Sequence, residues 1–357
     1  MKILMTTDTA GGVWHYSIDL VAGLLREQVK VVLVAMGPKL TEAQRADLHQ
    51  CRGVKFYHKT CKLEWMDSPW NDVEKAGQWL TRIYEKEQPD LIHFNNYAHV
   101  NMGWDCPKIL VAHSCVSSWW EAVKKEPLPG RFNYYFNVVR EAFHGANMVV
   151  APSAAMLSTF QRIYGHPERS TVIYNALAPS KVSTDKQPII FSMGRLWDEA
   201  KNIDLLLKAA DNINGKIYIA GAGSREKNNT ANVTFLGILS RPEIFGWLNI
   251  SAIYVLPVKY EPFGLSFLEA ASRRCALVGG DIATMRELWG ESMCYVEPDN
   301  PEALAHTCNT LLSDVKYRNC MAAEAYKRSQ RYTLKKKTEQ YINLYNNVRH
   351  ESHTLLT

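Results

Sequence analysis

Short apolar segments alternate with longer segments of helical periodicity along most of this chain. In the first half, runs of three to five residues rich in Val, Ile and Leu are bounded by turn-forming residues. Such runs predict buried β-strands, and their alternation with helices predicts βαβ units around a parallel sheet. The predicted strands are Ile3–Met5, Val31–Ala35, Leu91–Phe94, Ile109–Ala112 and Val149–Ala151, and helices are predicted at about 14–27, 72–87, 132–144 and 153–164.

The second half of the chain repeats this rhythm. Between the halves, residues 175–181 and 184–188 have the polar and proline-containing composition of a linker. A chain of 357 residues also exceeds the usual size of one hydrophobic core. We therefore predict two doubly wound α/β domains, with ligands at the carboxyl ends of the strands and in the cleft between the domains. The strands predicted here are Ile189–Ser192, Ile217–Ala220, Val233–Leu236, Ile253–Leu256, Leu277–Val278 and Cys294–Val296, and the last helices follow at roughly 314–348.

The overall composition argues against several classes of protein. Hydrophobic residues make up 46% and charged residues 22%, which is typical of a soluble globular protein. No apolar run reaches the roughly 18 residues of a membrane-spanning helix, and the N-terminus does not resemble a signal peptide. Eight cysteines without metal-ligand spacing predict reduced thiols in a cytoplasmic protein. A net charge of +5 suits an anionic nucleotide, an acidic saccharide or a phospholipid surface, but without a recognisable binding module we expect no nucleic acid partner.

Two glutamates separated by seven residues, Glu261 and Glu269, are the most informative feature. Glu261 lies on a Pro/Gly loop after an apolar strand, and Glu269 lies in the mostly apolar helix that Gly264 opens. A buried carboxylate needs hydrogen-bond partners, and the hydroxyls of a ribose or hexose could provide them. The free N–H groups at the helix start would suit an anion beside them. The alternative is that Glu269 is paired with an Arg or Lys of the chain itself.

A second polar cluster follows the strand predicted at Ile189–Ser192. Arg195 comes shortly after this strand, and Lys201 comes six positions later. A planar guanidinium and a mobile ammonium together suit a pyrophosphate. From the spacing alone, a surface pair between Arg195 and Asp198 or Glu199 is an equally good interpretation.

The segment from Glu261 to Glu269, with Pro-Phe-Gly after the first glutamate, resembles the E-x7-E signature of retaining glycosyltransferases of family 4 (glycosyl transferases group 1). The resemblance covers nearly the whole chain. It implies the α/β fold called GT-B, in which two Rossmann-like domains face a cleft and the C-terminal helix crosses back to the N-terminal domain. The implied domains are 1–180 on the acceptor side, 181–332 for the nucleotide sugar, and the returning helix at 333–357.

The resemblance also implies roles for individual residues. Arg195 and Lys201 would bind the donor diphosphate, Glu261 the hydroxyls of the donor sugar, and Glu269 the ribose. His113, at a strand end, would contact the transferred sugar and orient the reacting groups, although histidines at such positions are often structural. The predicted catalytic residues are His113, Arg195, Lys201 and Glu261, and the predicted donor-binding residues are Gly11, Gly12, Arg195, Lys201, Gly223, Leu236, Ile238, Glu261, Phe263, Gly264, Leu265 and Glu269.

Two glycine pairs follow predicted strands. Gly11 and Gly12 would let the backbone approach a phosphate, although tight βα turns also use glycine for steric reasons. The segment 221–223 has a G-x-G pattern but lacks the third glycine and the acidic residue of the NAD fingerprint, so a dinucleotide oxidoreductase is disfavoured. The resemblance places both loops beside the donor, and the base is expected near Leu236 and Ile238.

Aromatic residues are dense in the N-terminal half, at 119–120 and at 132–136. Trp and Tyr rings stack on sugar faces and also anchor proteins at membrane interfaces. The alternative is plain packing under a long loop. We predict Trp14, His15 and Trp119 as acceptor-binding residues.

The implied reaction moves a hexosyl unit from a nucleotide-diphosphate sugar, with UDP or GDP favoured, to a saccharide or lipid-linked acceptor with retention of configuration. No Asp or Glu presents itself as a nucleophile, so front-face substitution is favoured, with the cationic residues stabilising the leaving diphosphate. No Asp-x-Asp motif lies near these residues, so neither a metal nor another cofactor is expected. The alternatives are a nucleotide-sugar 2-epimerase of the same fold and a non-catalytic saccharide-binding or scaffold protein. Peripheral contact with the inner face of a membrane is left open.

Two departures from the family pattern stand out. Asn202 replaces the glycine that many relatives have after the lysine, and we expect it to change loop geometry only. The segment Ser272–Cys275 replaces a small glycine-containing turn at the far end of the glutamate helix. We expect this second change to alter packing but not activity.

Overall fold

The computed structural model describes residues 1–178, 182, 185–223 and 230–354. The chain forms two compact units. Unit 1 comprises Met1–Glu121, Lys125–Ala178 and Leu334–Thr357, and unit 2 comprises Ala122–Lys124 and Pro179–Thr333. The linker predicted at 175–181 and 184–188 spans this change of unit, and its residues 179–181 and 184 lie outside the described part of the chain.

The first part of the chain alternates strands and helices. The strands are β1 (Lys2–Asp8), β2 (Lys30–Gly37), β3 (Lys55–Thr60), β4 (Leu91–Phe94), β5 (Lys108–Val111), β6 (Met148–Ala151) and β7 (Ser170–Val172). The helices are α1 (Gly12–Arg26), α2 (Glu42–Leu48), α3 (Trp70–Glu87), α4 (Val116–Lys124), α5 (Asn133–Gly145) and α6 (Ala154–Tyr164). The strands pair in parallel in the order β3-β2-β1-β4-β5-β6-β7.

Unit 2 has the same kind of architecture. Its strands are β8 (Gln187–Met193), β9 (Ile217–Ala220), β10 (Val233–Gly237), β11 (Ser251–Leu256), β12 (Ala276–Gly280) and β13 (Cys294–Val296). The helices from here to the end of the chain are α7 (Ile203–Ala210), α8 (Arg241–Ile250), α9 (Leu265–Ala271), α10 (Ala283–Trp289), α11 (Pro301–Ser313), α12 (Val315–Ser329) and α13 (Leu334–Thr354). The parallel strand order is β10-β9-β8-β11-β12-β13, so the predicted pair of doubly wound sheets is confirmed.

Local sequence signals account for several helix starts. Ser153 precedes α6, and its hydroxyl accepts a hydrogen bond from the N–H of Met156 at 3.2 Å. Asn300 caps α11 in the same way, with Pro301 at the first helical position. These caps satisfy N–H groups that have no partner within the helix, which is why Ser and Asn favour this position.

Strands β3 and β7 and helix α2 were not predicted from the apolar pattern. Both strands lie at the edges of the sheet of unit 1, and their residues are half-buried or exposed. Edge strands pair on one side only and can keep polar side chains, so Lys55–Thr60 contains no continuous apolar run. Helix α2 buries none of its residues completely, which explains why its periodicity is weak.

The C-terminal helix α13 packs into unit 1, as predicted for the returning helix. Tyr341, Tyr345 and Val348 lie in the same hydrophobic core as residues of β1 and α1. Gly23 of α1 allows this close approach, because a Cβ there would overlap the side chain of Thr338. No helix in the described part of the chain is both long enough and apolar enough to span a membrane.

Candidate active site

The predicted donor residues of unit 2 follow two strands that meet where the strand order reverses. Strand β8 continues to β9 and β10 on one side, whereas its other neighbour, β11, continues to β12 and β13. Loops at the carboxyl ends of such a strand pair diverge and leave a crevice, which is the usual ligand site of open α/β sheets. Arg195 and Lys201 follow β8, and Glu261 follows β11. The topology therefore brings these three predicted residues to one end of the sheet.

Lys201 and Glu261 form a direct ion pair. The Lys201 Nζ lies 2.6 Å from Glu261 Oε2, and their side chains are only 16% and 12% exposed. The other carboxylate oxygen accepts a hydrogen bond from the N–H of Gly264 at 2.9 Å. Glu261 is thus held from both sides. Because an ammonium has three N–H donors, Lys201 keeps two for a ligand.

Arg195 pairs with a buried carboxylate three residues along the chain. Its Nη2 and Nε lie 2.6 and 3.2 Å from Asp198 Oδ2. The Asp198 side chain is 3% exposed, and its Oδ1 accepts a hydrogen bond from the N–H of Ala200 at 3.0 Å. This is the alternative interpretation given above for Arg195. The ion pair with Asp198 does not occupy the whole guanidinium, since the Nη1 donors stay outside the pair and the Arg195 side chain is 46% exposed.

Asn202 does more than the loop geometry expected from the sequence. Its φ of 54° lies in the left-handed region, which asparagine tolerates better than most residues with a side chain. Its side-chain Nδ2 also donates to the carbonyls of Pro257 at 2.9 Å and Pro298 at 2.6 Å. Asn202 therefore ties the loop that carries Lys201 to the segments following β11 and β13. The prediction that this substitution changes loop geometry only was incomplete.

Glu269 has cationic neighbours from its own unit. The Glu269 Oε1 lies 3.8 Å from Nε of Arg241 in α8, and the Glu269 side chain is 15% exposed. Arg273 is 2% exposed, and its Nη1 donates to the Glu269 carbonyl at 3.2 Å. The burial of Glu269 alone thus does not require a ligand. Arg273 belongs to the segment expected at the far end of the helix from the chemistry; its hydrogen bond goes to the main-chain carbonyl of Glu269, so that expectation stays a prediction.

The glycine loop after β9 lies against the loop after β8. Gly194 N–H donates to the Ala220 carbonyl at 3.0 Å, and Gly221 N–H donates to the Gly237 carbonyl at 2.8 Å. Gly221 has a φ of 144°, and a Cβ there would overlap the carbonyl oxygen of Gly194. A Cβ on Gly223 would press against the side chain of Leu196. The glycines therefore allow two strand-end loops to come close together beside Arg195.

The remaining predicted donor residues of unit 2 differ in exposure. Ile238 follows β10 and is 76% exposed, while Leu236 and Leu265 are half-buried. Phe263 is 4% exposed, and its ring packs edge-on against Tyr332 with centroids 5.6 Å apart. The Phe263 ring is therefore part of the core and only its backbone could meet a ligand. The prediction of Phe263 as a donor-binding residue therefore concerns its main chain beside Gly264 and stays a prediction.

In unit 1 the glycine pair joins β1 to α1. Gly11 has a φ of 79°, a conformation that favours glycine. A Cβ on Gly12 would meet no atom within 4 Å, so packing does not explain why glycine stands there. Both glycines are exposed. The space above Gly12 is compatible with the close backbone approach to a ligand that the sequence predicts.

His113 follows β5, close to the strand-order reversal of unit 1 between β1 and β4. Its Nε2 lies 2.7 Å from Oδ1 of Asn95, which follows β4. Its ring packs edge-on against Tyr16, with centroids 4.4 Å apart. Burial, and the repulsion that a proton on His113 would meet from a positive charge on Lys337 or His93, hold the pKa of His113 well below its ordinary value. The imidazole is therefore neutral at physiological pH.

The three predicted acceptor residues have different environments. Trp14 is 1% exposed and its indole N–H donates to Asp47 at 2.9 Å, so it belongs to the core and its prediction as an acceptor residue was wrong. The burial of the apolar face of α1 explains the error. His15 is exposed on the same helix. Trp119 is half-buried, with its ring centroid 6.1 Å from that of Trp120.

Trp120, which was not among the predicted site residues, borders a surface groove of about 430 Å³ in unit 1. Its indole N–H is buried without a hydrogen-bond partner among the described residues. The groove is lined by Trp120, Leu128, Phe136 and Ile163, by Pro127, and by the polar residues Ser117, Glu121, Glu126 and Asn133. An aromatic floor with carboxylates and an amide around it suits a saccharide ring.

Sequence reasoning missed three residues that hold the predicted ones in place. Asp198 was considered only as a surface partner of Arg195, yet it is buried. Asn95 directly follows a predicted strand, and this strand-end position was the available signal. Arg241 lies 28 positions from Glu269, and no local pattern could have paired them.

Comparisons with known proteins agree with the fold. Residues 10–181 match the family model described as Glycosyltransferase Family 4, and residues 187–314 match that described as Glycosyl transferases group 1. The chain is 23% identical over 396 residues to an uncharacterised glycosyltransferase of Methanocaldococcus jannaschii, covering 97% of this chain and 98% of that protein.

Solved structures match this chain over nearly its whole length. Sucrose-phosphate synthase from Thermosynechococcus elongatus has a TM-score of 0.78 at 16% identity, covering 98% of this chain and 99% of that one. The Anabaena protein HepE, solved in complex with UDP and glucose, has a TM-score of 0.77 at 18% identity, covering 97% and 100%. Because the two family models together match residues 10–181 and 187–314, the protein belongs to the group 1, family 4 glycosyltransferases and has the GT-B fold.

Proposed function

We propose that this glycosyltransferase moves a hexosyl unit from a nucleotide-diphosphate sugar, UDP- or GDP-linked, to a saccharide or lipid-linked acceptor. We propose further that configuration is retained and that no metal is needed. The observation that carries the proposal is the cluster of Arg195, Lys201 and Glu261 at the strand-order reversal of unit 2.

Two cations that are already held in place would bind the diphosphate. Asp198 orients Arg195 and Glu261 orients Lys201, so neither cation has to be ordered when the ligand arrives. Both keep N–H donors outside these pairs, and prepositioned donors stabilise the charge of a leaving diphosphate most effectively. The likeness to HepE, whose solved complex contains UDP and glucose, supports a nucleotide-linked donor.

The glutamates would then recognise hydroxyls. A carboxylate offers about four lone-pair sites. Glu261 uses one for Lys201 and one for Gly264 N–H, which leaves room for hydroxyls of the donor sugar. Glu269, which lies beside Arg241, would accept hydrogen bonds from the hydroxyls of the ribose. His113 of unit 1 would contact the transferred sugar.

The proposed chemical step is front-face substitution. The acceptor oxygen forms a bond to the anomeric carbon as the bond to the diphosphate breaks, on the same face of the sugar. The proton of the acceptor hydroxyl passes to the leaving phosphate oxygen, and the nucleoside diphosphate departs. Glu261 is not the nucleophile in this scheme: its carboxylate binds Lys201 and the Gly264 N–H, and its remaining lone pairs accept hydrogen bonds from hydroxyls of the donor sugar.

The first experiment is a panel of UDP-, GDP- and ADP-linked hexoses, tested by calorimetric binding and by slow donor hydrolysis. Glu269→Ala should abolish both for the accepted donor. Glu302→Ala is the matched control, because Glu302 is exposed in the first turn of α11. Failure of every donor to bind would contradict the proposal, and conversion of the donor without acceptor would favour the epimerase.

Once an acceptor is known, two further measurements test the finer points. The anomeric configuration of the product, measured by proton NMR, should match that of the donor, and an inverted product would contradict front-face substitution. Activity should survive exhaustive treatment with EDTA. Loss of activity that Mg²⁺ or Mn²⁺ restores would contradict metal independence.

A further inference from the structure

The orientation of the Asn95 amide is determined by its backbone neighbours. Its Nδ2 lies 2.7 Å from the Thr6 carbonyl oxygen, and its own N–H donates to the Thr6 hydroxyl at 2.9 Å. A carbonyl oxygen can only accept, so the group facing it must be the NH₂ of the amide. The reversed amide would place two acceptor oxygens 2.7 Å apart in a buried site. Asn95 Oδ1 therefore points away from Thr6 as an acceptor.

This orientation decides the tautomer of His113. Asn95 Oδ1 lies 2.7 Å from His113 Nε2, and an amide oxygen can only accept. The Nε2 of His113 must then carry the proton. In a neutral imidazole the other nitrogen, Nδ1, has a lone pair and no proton. The described residues offer this Nδ1 no hydrogen bond.

A second imidazole and the C-terminal helix support the same arrangement. His93 Nε2 lies 3.3 Å from the same Asn95 oxygen, and His93 Nδ1 lies 2.7 Å from the hydroxyl of Tyr345 in α13. With its proton on Nε2, His93 accepts a hydrogen bond from Tyr345. The chain of hydrogen bonds thus runs from Tyr345 through His93 and Asn95 to His113.

The groups around these two imidazoles oppose a second proton on either ring. The Lys337 Nζ lies 3.5 Å from the centroid of the Tyr16 ring, which itself packs against His113, and burial lowers the pKa of Lys337 to about 7. Tyr16 donates to the Tyr341 hydroxyl at 2.6 Å, so α13 contributes neutral phenols and a lysine. Asp19 of α1 is the acidic group that interacts with Lys337. Burial lowers the pKa of His93 to about 3, which also keeps that ring neutral.

We propose that Asn95 is a positioning residue that holds His113 as the Nε2–H tautomer, so that Nδ1 accepts a hydrogen bond from a hydroxyl of the transferred sugar. The proposal rests on the proposed function, which places His113 against that sugar. His93 of β4, which accepts a hydrogen bond from Tyr345 of α13, shares the oxygen of Asn95 with His113. Tyr345 of α13 thus orients His93, whereas the Asn95 oxygen sets the tautomer of His113.

The tautomer restricts the substrate. A lone pair on Nδ1 attracts a hydroxyl, which can donate, and repels a carboxylate or phosphate oxygen, which cannot. The transferred sugar should therefore have a free hydroxyl facing His113. Nucleotide-linked uronic acids with a carboxylate at that position, and sugars deoxygenated there, should bind more weakly.

The tautomer can be measured without any substrate. Protein labelled with nitrogen-15 at histidine should show the His113 signal of a protonated Nε2 and a bare Nδ1 at neutral and mildly acidic pH. Loss of that signal in His113→Gln assigns it. Asn95→Ala should give a mixture of tautomers. A merely structural role for Asn95 would leave the tautomer unchanged.

A matched variant acts at the other end of the chain. Tyr345→Phe removes only the hydroxyl that contacts His93, so the His93 signals should change while those of His113 stay. A wild-type His113 with its proton on Nδ1 would overturn the proposal. The same conclusion would follow if the tautomer were unchanged in Asn95→Ala. If Asn95→Ala does not fold, the wild-type spectrum still decides.

The sugar contact has a separate test. Each monodeoxy analogue of the accepted donor is compared in wild type and His113→Ala. One analogue should bind the wild type roughly tenfold more weakly, the size of one hydrogen bond, and should show no such loss in the variant. If no analogue shows this dependence, the sugar contact is overturned. If the protein shows the expected tautomer but binds no nucleotide sugar, the proposed function fails and the sugar contact fails with it. The role of Asn95 in setting the tautomer is then still supported.

Discussion

Replacing Asn202 by glycine should destabilise unit 2, even though the resemblance implies that glycine is common in relatives. Glycine adopts the observed φ of 54° without steric cost, so the backbone is preserved. Asn202 is only 7% exposed, and the change removes the hydrogen bonds that its Nδ2 donates to the Pro257 and Pro298 carbonyls. At a net 0.5–1.5 kcal/mol per bond, the expected loss is about 1–3 kcal/mol.

Asn202→Ala provides the matched comparison. Alanine loses the same two hydrogen bonds and also enters the left-handed region, which adds roughly 1 kcal/mol. The order of stability should therefore be wild type, then the glycine variant, then the alanine variant. Urea unfolding followed by circular dichroism measures this order. With a slope of about 3 kcal/mol per molar urea, the midpoint urea concentration of the glycine variant should be roughly 0.3–1 M lower than that of wild type.

Donor binding should follow the same order. Lys201 precedes Asn202, and release of the loop from Pro257 and Pro298 lets the ammonium move away from Glu261. Calorimetry with the accepted nucleotide sugar should show an affinity several-fold weaker for the glycine variant than for wild type. If the glycine variant were as stable as wild type, the two hydrogen bonds would contribute nothing. Equal stability of the two variants would refute the argument from φ.

Three further predictions test other parts of the protein. Gly221→Ala should abolish soluble expression because its Cβ overlaps the Gly194 carbonyl. The control Gly246→Ala, on the open face of α8, should raise stability by about 0.5–1 kcal/mol. Comparable yields of the two soluble variants would contradict the close approach of Gly221 to Gly194. Burial raises the pKa of Glu64 from 4.5 to about 7 although Tyr97 and Ala98 N–H groups donate to it, so the folded state binds its proton more tightly than the unfolded state. Roughly 3 kcal/mol of stability present below pH 4.5 should therefore be lost as the pH rises to about 7, and Glu64→Gln should flatten that part of a urea-midpoint profile. An unchanged slope in Glu64→Gln would show that other groups cause it. Trp120→Ala should raise the KM for the acceptor at least several-fold and leave donor binding unchanged, while an unaltered acceptor KM would assign the groove to packing.

Much of the fold follows from local patterns in the chain. Interior strands such as β1, β4 and β11 are buried on both faces, so their residues form apolar runs that can be read directly. The chemistry of the donor site is also local, because Glu261, Glu269, Arg195 and Lys201 lie in short segments after predicted strands. Edge strands and helix α2 lack this signal, because one side of each remains open to water.

The tertiary structure decided which of these groups meet. Lys201 and Glu261 lie 60 positions apart and become partners because β8 and β11 are neighbours in the sheet. Tyr345 lies 252 positions from His93 and reaches it only because α13 packs onto unit 1. Trp14 is a residue type that often binds sugars, but it lies on the face of α1 that packs into the core. Periodicity reports whether a side chain is buried, whereas strand order and helix packing determine its partners, and these depend on the whole chain.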